Sequence, residues 1–225
     1  MKTFAIIPAA GKGKRSNFSI PKQYLKFGGK ELIVHTLEAF QKNKLIDEII
    51  IAAHPNYFAL LEKIKKKYLL TKISKIVKGG KERQDSVYNA LLAIDAQLDD
   101  LVAVHDAARP LLPQKILTNA LLTARKKGNA LVCIRARDTL VTGTDIVDTY
   151  IDRESVSYVQ TPQIFKFRDL MRGMETAYAA DFYATDESIL IKNLGLNINI
   201  VEGSLSNFKV TTEDDIGFLQ KCLKT

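Results

Sequence analysis

Short runs of β-branched apolar residues alternate with helical hydrophobic patterns along most of this chain of 225 residues. Apolar runs that are too short for a helix, typical of buried strands, occur at residues 4–8, 48–52, 75–77, 101–105 and 197–201. Helical spacing of apolar residues occurs at residues 32–41, 57–68, 85–94, 113–126, 168–179, 187–193 and 213–223. Strands that alternate with helices are joined by right-handed crossovers and pair in parallel. The alternation therefore predicts an α/β fold, a Rossmann-like, mostly parallel sheet with helices on both faces.

The segment at about residues 136–160 interrupts this alternation. Two extended stretches lie around Gly143-Thr144-Asp145, which is the pattern of a β-hairpin, and they lack the apolar residues of a core unit. We expect a protruding β-arm, which either contacts a second subunit or is a surface excursion without a partner. Because repeats, low-complexity tracts and linkers are absent from the sequence, residues 1–225 are predicted to form a single domain that carries this arm.

Composition narrows the classes of function. The sequence contains no run of eighteen apolar residues, so no membrane partner is expected. The net charge of +8 comes from dispersed lysines, and no zinc-finger or helix-turn-helix pattern accompanies them. This distribution favours binding of anionic small molecules and predicts no nucleic-acid partner. Cys133 and Cys222 lack metal-ligand spacing, which is typical of free thiols in a reducing compartment and predicts a cytoplasmic location.

A glycine-rich, basic loop follows the first predicted strand. Ligands of open parallel sheets bind beyond the carboxyl ends of the strands, where backbone N–H groups of small residues can approach phosphates closely. The loop is neither a P-loop nor a dinucleotide fingerprint, and a simple tight turn is the alternative. Pro21 fixes the backbone that follows, so Lys22 could point at the same phosphates or remain an ordinary surface lysine. The loop reads Pro8-Ala9-Ala10-Gly11-Lys12-Gly13-Lys14-Arg15.

A second glycine turn, Gly79-Gly80-Lys81, precedes a predicted helix. Its backbone groups could contact the edge of a base, and the Ser86 hydroxyl could contribute. An ordinary helix start, capped by Asp85 or Ser86, is compatible with this interpretation.

Asp106 follows the strand predicted at residues 101–105, beside small residues. A carboxylate in this place can bind Mg²⁺ that bridges phosphates. His105 should point to the opposite face, so the two residues do not form a catalytic pair. No serine or cysteine nucleophile accompanies them, which argues against a hydrolase triad.

Together these stretches resemble the 2-C-methyl-D-erythritol 4-phosphate cytidylyltransferase family. Seven motifs match in order between residue 4 and about residue 215. They are Ala9-Ala10-Gly11-x-Gly13-x-Arg15, Pro21-Lys22-Gln23-Tyr24-Leu25, Gly79-Gly80-x-x-Arg83-x-Asp85-Ser86, Val104-His105-Asp106-Ala107-Ala108-Arg109-Pro110, Gln160-Thr161-Pro162-Gln163, Thr185-Asp186-Glu187 and Lys209-Val210-Thr211.

The resemblance implies an enzyme that joins CTP to a sugar-alcohol phosphate, methylerythritol phosphate, with Mg²⁺ or another divalent cation, and that forms a homodimer through the arm. It implies nucleotide contacts by Pro8, Ala9, Ala10, Gly11, Gly13, Lys14, Arg15, Lys22, Gly80, Lys81 and Ser86. The catalytic residues would be Arg15, Lys22, Asp106 and Lys209, with Asp106 also the candidate metal ligand. The acceptor would contact Asp106, Arg109, Arg153, Thr161, Thr185 and Lys209, with Arg153 supplied by the neighbouring subunit.

The arm departs from the family pattern at two places. Val141 stands where members usually have lysine, and Val156-Ser157 replaces the usual Leu-Trp in a chain without tryptophan. A ribitol-5-phosphate cytidylyltransferase, whose arm also tends to lack that lysine, is the alternative enzyme. Ala107-Ala108 and Asp152-Arg153 favour the methylerythritol enzyme. A non-catalytic nucleotide- or nucleic-acid-binding protein is the alternative of another class, and the presence of Arg15, Lys22 and Asp106 argues against it.

Overall fold

The computed structural model describes residues 1–11 and 20–223 of the protein. Its strands, in chain order, are β1 (Thr3–Ala9), β2 (Lys26–Phe27), β3 (Lys30–Glu31), β4 (Glu48–Ala53), β5 (Ile73–Lys78), β6 (Leu101–Val104), β7 (Asn129–Arg135), β8 (Leu140–Val141), β9 (Tyr150–Ile151), β10 (Ser157–Lys166) and β11 (Ile200–Glu202). Its α-helices are α1 (Leu32–Lys42), α2 (Phe58–Lys67), α3 (Arg83–Ala93), α4 (Gln114–Lys127), α5 (Phe167–Ala179), α6 (Glu187–Asn193) and α7 (Glu213–Cys222).

Seven of the described strands form one central sheet in the order β11-β7-β10-β6-β1-β4-β5. β10 runs antiparallel to both of its neighbours, and the other neighbouring pairs are parallel. The predicted α/β fold with a mostly parallel sheet is confirmed. Because β1, β4, β5 and β6 run in the same direction, the loops that follow them meet at one edge of the sheet.

The apolar sequence of β1 explains why the sheet carries helices on both faces. Ala5 and Ile7 belong to the core beneath α1, α2 and α4, whereas Phe4 and Ile6 belong to the core beneath α3, α5 and α6. Successive side chains of a strand point to opposite faces, so a strand that is covered on both faces needs an unbroken apolar run. Each fully buried isoleucine or phenylalanine stabilises the fold by roughly 1.5–3 kcal/mol.

Strands β7 and β10 were not predicted from the sequence. β10 includes Gln160, Thr161 and Gln163, which are buried although they are polar, so no strand-like hydrophobic pattern marks this segment. Their side chains form hydrogen bonds inside the protein, for example from Asn207 Nδ2 to Gln160 Oε1 at 3.2 Å. Burial of these groups is tolerated because they are paired.

The arm is a hairpin in which β8 pairs antiparallel with β9. It ends earlier than the predicted boundary at residue 160, because residues from Ser157 onward belong to β10 of the central sheet. Several of its apolar side chains are exposed, among them Ile146 and Tyr150 at 84% and 74%. No described helix has a segment long and apolar enough to cross a membrane.

A third, smaller core packs the motif Lys209-Val210-Thr211 against the rest of the protein. Val210 and Leu219 of the carboxyl-terminal segment pack with Phe27, Leu32 and Ala108. The backbone N–H of Val210 also donates to the carbonyl oxygen of Ala108 at 2.8 Å. This packing places the preceding Lys209 beside Asp106.

Candidate active site

A cavity of about 1290 Å³ lies where the carboxyl ends of β1, β5 and β6 meet. Its wall brings together ten of the predicted site residues: Pro8, Ala9, Ala10, Gly11, Lys22, Gly80, Lys81, Ser86, Asp106 and Lys209. Their positions in sequence span about two hundred residues, so only the fold makes them one site. Gly13, Lys14 and Arg15 lie outside the residues that the structure describes.

The end of β1 is tied to the short 3₁₀ turn Lys22–Tyr24. Gln23 Nε2 donates to the carbonyl oxygens of Ala9 at 2.8 Å and Gly11 at 3.0 Å, and the Tyr24 hydroxyl donates to Ala9 at 3.3 Å. Gln23 and Tyr24 are both buried, so their bonds to Ala9 are shielded from water. They place Lys22 on the cavity wall, and its contact with the phosphates stays a prediction.

The second glycine turn approaches the first loop closely. A Cβ on Gly79 would collide with the Cβ of Ala10, and a Cβ on Gly80 would collide with Asp85. Ser86 Oγ accepts from the Gly80 N–H at 3.1 Å and donates to the Glu82 carbonyl oxygen at 3.1 Å. Glycine is therefore required on steric grounds, and the Ser86 hydroxyl shapes the turn.

The start of α3 is capped differently from the prediction. Glu82 is the N-cap, and Asp85 completes a capping box by accepting from the Glu82 N–H at 2.9 Å. The prediction of Asp85 or Ser86 as the cap was wrong, because both residues lie inside the first turn of the helix. Asp85 also accepts a hydrogen bond of 2.7 Å from the Tyr178 hydroxyl, which sequence patterns did not indicate.

Asp106 stands at the centre of a cluster of charges. Its Oδ1 lies 3.0 Å from Arg83 Nε, and its Oδ2 lies 2.9 Å from Lys209 Nζ and 3.6 Å from Arg109 Nε. Burial opposes ionisation of the carboxyl, but the charges of Arg83 and Lys209 outweigh it and hold the pKa of Asp106 far below its usual range. Asp106 is therefore a carboxylate at any pH at which the protein works.

Behind Asp106, Thr161 and His105 form a buried network. The antiparallel register of β10 against β6 brings Thr161 alongside Asp106, whose N–H donates to Thr161 Oγ1 at 3.2 Å. Thr161 Oγ1 also lies 2.9 Å from His105 Nδ1, and His105 Nε2 lies 3.2 Å from the Arg109 carbonyl oxygen. Burial lowers the pKa of His105 to about 4, so the neutral ring donates from Nε2 and accepts the Thr161 hydroxyl proton at Nδ1.

Arg109 is held in the same cluster by the segment that precedes Lys209. Its Nη1 donates to the Asn207 carbonyl oxygen at 2.8 Å, and Asn207 Nδ2 donates to the Thr161 carbonyl oxygen at 2.7 Å. Burial lowers the pKa of Arg109 against the opposing effect of Asp106, and the group stays cationic. Asn207, buried and outside every predicted motif, thus orients two predicted site residues.

The described residues do not fit a metal centre built by the protein. They contain no group of three or more histidine, cysteine, aspartate or glutamate side chains arranged to hold a cation. Both oxygens of Asp106 are engaged by cationic side chains, so a direct metal bond there requires Lys209 Nζ to move away. The metal role of Asp106 stays a prediction.

Four predicted acceptor residues do not line the cavity: Arg109 and Thr161 contact Asp106, whereas Arg153 and Thr185 are exposed. Arg153 is exposed at the base of the arm, where its Nη1 donates to the Arg137 carbonyl oxygen at 3.1 Å. Thr185 is exposed next to Asp186, the N-cap of α6. Neither contributes to the described lining of the cavity within this one chain.

A family model described as 2-C-methyl-D-erythritol 4-phosphate cytidylyltransferase matches residues 3–225. The chain belongs to this family. A protein of this name from Syntrophus aciditrophicus (strain SB) is 38% identical over 226 residues, covering 99% of this chain and 96% of the relative. One from Clostridioides difficile (strain 630) is 37% identical over 222 residues, covering 97% of this chain and 92% of the relative.

Solved structures of the 2-C-methyl-D-erythritol 4-phosphate cytidylyltransferase family share the fold along the whole chain. The enzyme from Thermus thermophilus superposes with a TM-score of 0.82 at 29% identity, covering 100% of both chains. The 4-diphosphocytidyl-2C-methyl-D-erythritol synthase from Anaerococcus prevotii DSM 20548 superposes with a TM-score of 0.86 at 29% identity, covering 100% of this chain and 99% of the other. The predicted resemblance is confirmed, and the protein is a nucleotidyltransferase of the cytidylyltransferase class. The ribitol-5-phosphate alternative is not favoured.

Proposed function

We propose that this chain transfers the cytidylyl group of CTP to 2-C-methyl-D-erythritol 4-phosphate, giving CDP-methylerythritol and pyrophosphate. The observation that carries the proposal is the single cavity that joins Lys22 at one wall with Asp106 and Lys209 at another. Family membership supports the choice of substrates, since relatives of similar length carry the name of this reaction.

The cytosine end of the nucleotide is assigned to the two turns that approach each other at Gly79 and Ala10. Gly79 and Gly80 line the cavity, and because their N–H groups already donate to Ala53 and Ser86, their carbonyl oxygens are the backbone groups that would contact the base. Ser86 keeps the turn in shape through its bonds to Gly80 and Glu82, and its role in the proposal is therefore indirect. The triphosphate would lie toward Gly11, Lys22 and the basic residues that follow the first strand.

The acceptor is assigned to the cationic group around Asp106. Lys209 and Arg109 can attract the acceptor phosphate, and Asp106 can accept a hydrogen bond from a hydroxyl of the sugar alcohol. Burial opposes ionisation of Asp106, but nearby cations hold its pKa far below the usual range, so the side chain remains an acceptor of hydrogen bonds. Thr161 supports this arrangement through the Asp106 backbone.

The reaction needs no general base, because a phosphate dianion is already nucleophilic. An oxygen of the acceptor phosphate forms a bond to the α-phosphorus while the bond to the bridging oxygen of the β-phosphate breaks, and pyrophosphate leaves. Lys22, together with Arg15, would stabilise the negative charge that develops on the α-phosphate oxygens. Preorganised cations at such a developing charge usually provide the largest part of the rate enhancement.

Members of this family work with a divalent cation. For this chain we propose Mg²⁺ held mainly by phosphate oxygens of the nucleotide, since both Asp106 oxygens already contact cationic side chains. The ion would supply charge neutralisation at the triphosphate. We also propose a cytoplasmic location, which the buried free thiol of Cys133 supports.

The direct test is release of pyrophosphate by purified protein with CTP and Mg²⁺. We expect release with methylerythritol phosphate and release at least about tenfold slower with ribitol phosphate, an acceptor without the branching methyl group. A preference for ribitol phosphate would reverse the choice of acceptor. No release with either acceptor would contradict the proposed reaction.

We propose that the active form is a homodimer in which Arg153 acts in the partner subunit's acceptor site. Exposed apolar side chains on the arm, including Ile146 and Tyr150, support a contact surface there, and Arg153 lies at its base. Complementation between two inactive variants tests this idea. Lys22→Ala and Arg153→Ala should each be nearly inactive alone. A mixed dimer retains one intact site, so co-expression should restore about a quarter of wild-type activity. Failure to restore activity in isolated mixed dimers would place Arg153 outside the partner's site.

A further inference from the structure

Arg83 joins two carboxylates from distant parts of the chain. Its Nε lies 3.0 Å from Asp106 Oδ1, and its Nη1 lies 2.6 Å from Glu187 Oε1. Glu187 opens α6 and is 1% exposed, and its Oε2 is buried without a hydrogen-bond partner among the described residues. Arg83 itself reaches the cavity wall at the start of α3. Neither Arg83 nor Glu187 takes part in the proposed cytidylyl transfer.

A buried ion pair such as this one is weak evidence for a contribution to stability. Burying an ion pair in place of apolar side chains is often neutral or destabilising, because desolvation offsets the attraction between the charges. The exposed fraction of the Glu187 carboxyl side chain is only 2%, and one of its oxygens lacks a partner among the described residues. The pair of Arg83 and Glu187 fixes the orientation of the Arg83 guanidinium. A planar guanidinium held at Nη1 by a buried, immobile carboxylate has little freedom left at Nε.

The position of Arg83 Nε determines which oxygen of Asp106 contacts Lys209. Arg83 Nε contacts Oδ1, whereas Lys209 Nζ contacts Oδ2. If Arg83 were absent, both oxygens of Asp106 could turn toward Lys209 and Arg109, whose nitrogens lie at 2.9 and 3.6 Å from Oδ2. Lys209 would then be held more tightly and would be less available to an incoming phosphate.

We propose that Arg83 is a positioning residue for the acceptor half of the site, and that Glu187 is its anchor. Arg83 clamps one oxygen of Asp106, so that Lys209 is held by the other oxygen alone and an acceptor phosphate competes with a single carboxylate oxygen for the amine. The identity of the acceptor rests on the proposed function. The positioning of Asp106 by Arg83 depends only on the ion pairs of Arg83 with Asp106 and with Glu187.

Binding measurements on variants test the clamp. In Arg83→Met we expect the dissociation constant of methylerythritol phosphate, measured with a non-reactive CTP analogue bound, to rise about tenfold. The affinity for the CTP analogue itself should change less than about twofold, because the clamp acts on the acceptor side. Arg83→Lys should recover part of the acceptor affinity, since one ammonium cannot contact both carboxylates. Arg168→Met, which removes an exposed arginine paired with Asp99, is the matched control and should leave both affinities unchanged.

A double variant separates positioning from stability. Arg83→Met leaves Glu187 buried without a cation, so it should lower the unfolding midpoint, and adding Glu187→Gln should recover much of that loss. Acceptor affinity should stay as low in the double variant as in Arg83→Met. Recovery of acceptor affinity together with stability would overturn the proposal, and so would an equal loss of affinity for the CTP analogue.

A third readout does not depend on the acceptor's identity. The rate at which an amine-acylating reagent modifies Lys209, followed by mass spectrometry, should fall at least about threefold in Arg83→Met, because Asp106 then holds the amine more tightly. Arg168→Met should not change that rate. An unchanged rate in Arg83→Met would contradict the clamp. If wild-type protein fails to use methylerythritol phosphate while this labelling result holds, the proposed function fails and the clamp stands.

Discussion

Lys22→Ala is expected to lower the turnover rate about 100- to 1,000-fold, the usual loss when one preorganised group is removed from a developing negative charge. Bonds from Gln23 and Tyr24 to Ala9 fasten the turn that carries Lys22 to the end of β1. The backbone that carries Lys22 is therefore fixed before the nucleotide arrives. Because this charge develops mainly in the transition state, we expect the dissociation constant of CTP to rise only a few-fold. Single-turnover kinetics and equilibrium binding measure the two effects separately.

The matched control for Lys22 is Lys26→Ala. Lys26 is an exposed lysine on the short strand β2, four residues away, and it does not line the cavity. Its removal should change turnover less than about twofold. A loss confined to CTP affinity in Lys22→Ala would show that the lysine binds the ground state and has no special role in the transition state.

Asp106→Asn is expected to affect stability and catalysis together. The change removes the negative charge shared by Arg83, Arg109 and Lys209 in a buried position, so the free energy of unfolding should fall by about 3 kcal/mol. Lys209 also loses its partner, and kcat/KM for the acceptor should fall about a hundredfold. Inorganic phosphate should stabilise the variant more than wild type, because Lys209 and Arg109 lose their carboxylate and, with Arg83, form an anion site. Urea denaturation with and without phosphate measures both effects on stability.

Asp99→Asn is the control for Asp106. Asp99 pairs with Lys166 at 2.8 Å and Arg168 at 3.1 Å, but its side chain is 62% exposed. Exposed ion pairs contribute little to stability because water and salt screen them, so this variant should remain close to wild type. Similar losses of stability in Asp99→Asn and Asp106→Asn would mean that burial of the Asp106 cluster has no energetic consequence.

Local sequence pattern was sufficient for much of the architecture. The helix predicted at residues 187–193 has those bounds in the structure, and the apolar runs of β1, β4 and β6 lie where they were predicted. Periodicity reports which face of a segment is buried, so it succeeds mainly where burial involves apolar side chains, although the buried apolar strand β7 was also missed. It failed for β10, where Gln160, Thr161 and Gln163 are buried through hydrogen bonds to Asn207, His105 and Ser188. These partners are distant in sequence, and no local pattern records the pairing.

The amino-acid sequence by itself determined the parallel α/β framework, the glycine turns that face the cavity and the family to which the chain belongs. Each of these depends on the residues of one short segment or on motifs in fixed order. Only the tertiary structure decided that Arg83 pairs with Glu187, 104 residues away along the chain, and also with Asp106. It likewise brought Lys209 of the carboxyl-terminal segment to Asp106. The physical reason is that ion pairs among buried groups depend on distance in space, which arises only once the sheet has brought its strand ends together.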